Sequence, residues 1–160
     1  MRDKYWAYYT RTKYELQYFY AYLNDSYKWL KYIESFLAIM SSSSIAAWAI
    51  WSEIPFVWAF IIAVSQVVTA LKQYLPYSKR IQALNGLLPK LDNVLNRIDH
   101  NWFNVENGQI TDEQINDLIF NFKKECADLS NKHLTGIYLP ERDDLRKSAE
   151  TETECFFECF

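Results

Sequence analysis

The stretch SFLAIMSSSSIAAWAIWSEIPFVWAFIIAVSQVVTAL, residues 35–71, decides how the rest of the chain is read. It divides into two uncharged runs, Ser35–Ser52 and Ile54–Leu71, separated by Glu53. Each run is 18 residues long. At about 1.5 Å of rise per helical residue, each reaches roughly 27 Å, close to the ~30 Å hydrocarbon core of a bilayer. Ser52-Glu53-Ile54-Pro55 supplies a turn between them. The pattern predicts a transmembrane helical hairpin.

The flanks agree with that expectation. Trp and Tyr collect at bilayer interfaces. Trp48, Trp51 and Trp58 surround the turn, Trp29 and Tyr32 precede the first run, and Tyr74 and Tyr77 follow the second. Lys28 and Lys31 lie before the pair, and Lys72, Lys79 and Arg80 after it, while the turn has no Lys or Arg. The excess of positive charge on one side predicts both termini in the cytoplasm and Glu53 outside. The expected location is a membrane crossed more than once, which the resemblance named below makes a bacterial inner membrane. The mean hydropathy of -0.25 is mildly polar, so the ends must be hydrophilic if the middle is not.

Composition bounds the remainder. The chain has 160 residues and a net charge of -3, so bulk attraction to nucleic acid is not expected. Charge is uneven: residues 1–32 hold six basic and three acidic groups, residues 141–160 three basic and seven acidic. Only three glycines and four prolines punctuate the chain, which favours long helices. Cys126, Cys155 and Cys159 are expected to be free thiols, and no metal site is expected.

Four segments follow from the patterning: a basic, aromatic N-terminal helix over 1–32, the hairpin over 33–75, a cytoplasmic helical domain over 76–136, and an acidic tail with an apolar terminus over 137–160. In the first, Tyr5, Tyr9, Thr12, Leu16, Phe19 and Leu23 share one stripe and Tyr14, Tyr18 and Tyr22 a second. Packing against neighbours and lying at a membrane surface are both consistent with that. Asn24-Asp25-Ser26 offers caps for a new helix start. Beyond Pro76, Ile81, Leu84, Leu88, Leu91, Leu95, Ile98 and Trp102 alternate spacings of three and four, a heptad seam. Pro89 predicts a bend or restart within it. Asn107-Gly108 reads as a turn, and Thr111 with Gln114 as a capping box opening a helix whose apolar face is Ile115, Leu118, Phe122, Cys126 and Leu129. The fold expected is therefore an all-α membrane protein, with an aromatic helix before the hairpin and a cytoplasmic helical pair after it.

No glycine-rich phosphate loop, HExxH or nucleophile elbow is present, so neither enzymatic activity nor a cofactor is expected. Polar residues in the two runs attract more notice: Ser41, Ser42, Ser43 and Ser44 in the first, Ser65, Gln66 and Thr69 in the second. At membrane depth such groups face other helices or water, so helix packing and pore lining both remain open. Glu53 would stand at the outer mouth. Two helices cannot enclose a pore alone, so a conducting form requires a homo-oligomer, with a tetramer the leading guess. Two groups of cations are candidates for an anionic ligand: Lys123, Lys124, Lys132, Arg142, Arg146 and Lys147, and separately Lys79, Arg80, Lys90 and Arg97. Phe156, Phe157 and Phe160 make the apolar terminus expected to dock, and are candidate gate residues.

An aromatic N-terminal helix, two runs joined at Glu53-Ile54-Pro55, and helices around Ile81–Ile98 and Ile115–Leu129 resemble the layout of SLATT-type two-transmembrane effectors of bacterial anti-phage systems. The resemblance covers most of the chain and is architectural. It implies a homo-oligomeric pore in the membrane lipid, gated by a nucleotide-derived ligand or oligonucleotide, that depolarises the infected cell. A non-conducting membrane adaptor that recruits a partner through its cytoplasmic helices, and a holin-like lytic protein, are the alternatives.

Overall fold

The computed structural model describes residues 1–50, 55–72 and 74–158, without side chains for 41–50, 55, 57, 58 and 72. Five helices are described: α1 (Arg2–Ile50), α2 (Pro55–Lys72), α3 (Tyr77–Glu106), α4 (Asp112–Leu134) and α5 (Asp143–Glu158). The expected all-helical class is what the described residues adopt. The expected membrane spans are not: no helix among them is long and apolar enough to cross a membrane. The multi-pass inner-membrane location falls with the spans. Freedom from charge was mistaken for apolarity. The first run carries six serines, so its length alone does not make it a hydrocarbon-compatible helix, while α2 is 18 residues long, near the short limit for a span, and opens on Pro55 and closes on Lys72.

Contacts divide the chain into two units, one of residues Met1–Asn24 with Lys79–Phe160, the other of Asp25–Ser78. The first unit has a core drawn from four helical segments. From α1 come Tyr5, Tyr9 and Leu16; from α4, Ile115, Ile119 and Phe122; from α5, Leu145 and Ala149. The heptad seam of α3 supplies the middle, with Leu84 and Ile98 at 0% exposure and Leu88, Leu91 and Leu95 buried beside them. An apolar stripe at three-four spacing is buried because each residue recurs on one face of a 3.6-residue helix.

Two expected boundaries are absent. α3 runs unbroken through Pro89. The ring is exposed while Leu87, Leu88 and Leu91 around it are buried, so packing on the opposite face holds the helix across the lost backbone bond. α1 likewise continues through Asn24-Asp25-Ser26, and Ser26 is buried rather than capping a new start. Other signals are realised as read. Thr111 accepts from the Gln114 backbone N–H while the Gln114 side chain accepts from the Thr111 backbone N–H, completing the capping box. After α3, Gln109 N–H donates to Asn104 O and Gly108 N–H to Val105 O, a Schellman closure with Gly108 in the left-handed region at φ 64°.

The aromatic arm is tied down by its hydroxyls. Tyr5 Oη donates to Ile98 O at 2.9 Å, Tyr9 Oη to Asp99 Oδ1 at 2.8 Å, and Tyr20 Oη to Asp92 Oδ2. Burial is the main cause pushing the Tyr5 and Tyr9 phenols well above their usual range, reinforced by the Asp99 carboxylate. Tyr20 is pushed up to about 12, first by burial and then by its bond to Asp92. A phenol whose folded pKa is raised favours the neutral form in the fold. Its stabilisation is complete below the unfolded value of about 10 and drains away as pH rises through the folded value. The fold is therefore expected to lose stability steadily above pH 10, with tyrosine ionisation, followed by ultraviolet absorbance, lagging that of free tyrosine until the helices melt. Ionisation of all twelve tyrosines at the free value, with helicity intact, is the contrary result.

Candidate functional site

In the second unit, α2 starts at Pro55, whose fixed φ suits a first helical position. Lys72 is its one charged residue. Leu37, Ala38 and Met40 of α1 line a groove of about 540 Å³ together with Ile62, Ser65, Gln66 and Thr69 of α2. The two hydroxyls on this side are absorbed locally: Ser65 Oγ donates to Ile62 O at 2.9 Å and Thr69 Oγ1 to Ser65 O at 2.8 Å.

α2 is exposed on the groove side, where Ile62 is 49% accessible, and on a second side as well. Phe56 is 86% accessible, Phe60 67%, Val67 57% and Leu71 52%. With the exposed Ala63, these residues recur at spacings of four, three, four and four. At about 100° per residue they fall within an arc of roughly 80°, centred some 150° around the helix from the groove side. They form a continuous apolar seam about 22 Å long that turns away from the α1 neighbour. On α1, Trp29, Tyr32 and Ile39 are also exposed large apolar side chains. Single exposed apolar residues are ordinary, but a contiguous stripe of them marks an interaction surface.

The other residues singled out in the sequence are dispersed. The side chains of Ser41, Ser42, Ser43 and Ser44, together with Glu53 and Phe160, lie outside the described residues. In the first cation group, Arg142 pairs with Asp144 at 2.5 Å, Arg146 with Glu141 at 3.1 Å, and Lys123 lies over the Tyr8 ring at 5.7 Å. Lys124, Lys132 and Lys147 are exposed. In the second, Arg97 meets Glu125 at 2.5 Å, Arg80 donates to Tyr138 O at 3.1 Å, Lys90 meets His133 Nε2 at 2.8 Å, and Lys79 is exposed. Of these cations, Lys123 shares a groove of about 510 Å³ with Lys4 and Arg11 from α1. That groove also contains Glu15, which takes Arg11 at 2.9 Å, and Lys4 is committed to Asn116 Oδ1 at 3.2 Å. Its Cys126 thiol is pushed up, chiefly by burial. Phe157 stacks edge-on against Trp6 and Tyr9, and Phe156 lies under Lys13 at 3.6 Å. Among the described residues no group of three or more His, Cys, Asp or Glu is arranged to hold a metal ion.

Sequence reading passed over the seam because it assigned the whole of α2 to lipid. The four-three spacing from Phe56 to Leu71 was the available signal. Fold and site together define an all-helical chain with one cored bundle and a second unit bearing an exposed apolar seam. No family model, no curated protein and no solved structure matches the chain.

Proposed function

We propose that the chain is a self-assembling helical module whose second unit pairs with that of another copy through the α2 seam. The observation that carries this is the uncharged stripe Phe56, Phe60, Ala63, Val67 and Leu71, exposed on the side away from its own groove. A second copy is the occupant for two reasons. Three-four spacing is self-complementary, because knobs of one helix fit holes of an identical one. The α1 neighbour leaves the α2 seam uncovered, whereas two copies together supply four helices around it. The α3 heptad is not available for recruitment, because it is consumed inside its own core.

The magnitudes permit pairing. Burying a Phe, Val or Leu side chain contributes about 1.5–3 kcal/mol. Four large side chains from each of two copies, on average about two-thirds exposed, thus supply on the order of 8–16 kcal/mol, comparable with an association cost of about 4–15 kcal/mol. A pore is not carried forward, since it requires membrane-crossing helices, and the SLATT resemblance enters no step of this reading. The test is the solution mass of the full chain by light scattering over a dilution series. At the higher concentrations the expected mass is a multiple of 19.1 kDa, with two chains the minimum. A single-chain mass throughout overturns the proposal.

A further inference from the structure

We propose that a groove in the first unit, between α1, α3 and α5, binds a small organic cation carrying a quaternary ammonium group. The groove has a volume of about 690 Å³. One wall is the α3 face on which Asp99, Trp102, Phe103 and Glu106 follow at steps of three, one and three, so two carboxylates bracket two aromatic rings on one side of the helix. Trp6 of α1 adjoins that face, backed edge-on by Tyr9 and Phe157.

The Trp6 and Trp102 ring centroids are 4.9 Å apart with planes tilted by 46°, and Trp102 is stacked in turn against Tyr5, so Trp102 fixes Trp6 and the accessible ring surface is that of Trp6 and Phe103. Trp6 remains 37% exposed and Phe103 63%, so ring surface faces the groove and not only the core. An aromatic face carries a negative quadrupole and attracts cations, most strongly in Trp. Asp99 is held in place by accepting a hydrogen bond from the Tyr9 hydroxyl at 2.8 Å. Among the described residues neither Asp99 nor Glu106 has an ion-pair partner. The wall thus combines ring faces with two carboxylates outside any ion pair, Asp99 also feeling the Lys13 cation at longer range, and His100 completes the lining. A quaternary ammonium suits the exposed rings, because its methyl groups lie against them while the carboxylates attract its charge without a hydrogen bond. The site is distinct from the α2 seam and stands whether or not the chain self-associates.

The experiment is calorimetric titration of the full chain with choline and, separately, with 3,3-dimethylbutan-1-ol, which has the same shape without the charge. Choline is expected to bind about tenfold tighter than the neutral analogue. Phe103→Ala and Glu106→Gln alter exposed residues and are expected to leave helicity by circular dichroism unchanged while each weakens choline binding several-fold. Equal affinity for the two probes, no binding of either, or binding indifferent to both substitutions in folded protein overturns the proposal.

Discussion

Changing Phe60→Lys and Val67→Lys together is expected to abolish self-association while leaving the helices intact. These residues are 67% and 57% exposed and two helical turns apart on one face of α2. Lysine is a good helix former, so the substitutions do not oppose the local structure. No described core contact is lost, and the first unit should unfold at its unaltered temperature. What is lost is the apolar seam. Each pairing event would bring four lysines together, and two large side chains per copy would no longer be buried. Removing about 1.5–3 kcal/mol per buried side chain and adding like-charge repulsion weakens association by at least about two orders of magnitude. Light scattering of the variant reads this directly. An unchanged assembly mass with native circular dichroism would remove α2 from the interface.

Leu84→Ala is expected to have the largest effect on the fold itself. Leu84 is fully buried in α3, in the cluster that α1, α4 and α5 share. Truncating it removes transfer energy and leaves a cavity that neighbours on three other elements fill only in part. Such changes cost about 3–4 kcal/mol, which in a unit of this size lowers the melting temperature by roughly 10–20 °C. Phe120→Ala is the control. Phe120 is on α4 but 63% exposed, so its truncation is expected to cost about 0.5 kcal/mol or less. Thermal melts of the two variants should separate clearly. Similar losses for both would mean that the α3 seam is not the centre of the core.

Legibility in the sequence followed how local each signal was. The Thr111–Gln114 cap, the Asn107-Gly108 turn and the α3 heptad are set by residues a few positions apart, and all three appear as read. The bend at Pro89 and the restart at Asn24-Asp25-Ser26 were also local signals, but tertiary packing outweighed them. Buried leucines face inward beneath Pro89, and Ser26 is enclosed. The transmembrane hairpin failed for a different reason. Runs without charge look alike whether they meet lipid, a core or another copy, and the serines, Gln66 and Thr69 within them lower the apolarity that a lipid environment demands. The aromatic groove was not legible as a unit. Trp6, Trp102 and Phe157 are far apart in sequence and meet only when α1, α3 and α5 pack.

The most direct measurement is the distance between copies at the seam. Ala59 is exposed at its edge and accepts a nitroxide label through Ala59→Cys, with the native cysteines changed to serine. Paired helices pack about 8–10 Å apart, and residue 59 lies only a few residues from the middle of the stripe. Labels on two copies should therefore fall within roughly 30 Å in either helix orientation. A pulsed electron-resonance distance in that range, lost on adding Phe60→Lys and Val67→Lys, is the expected result. No inter-chain distance in that range, at concentrations where the mass is that of two or more chains, would contradict pairing through α2.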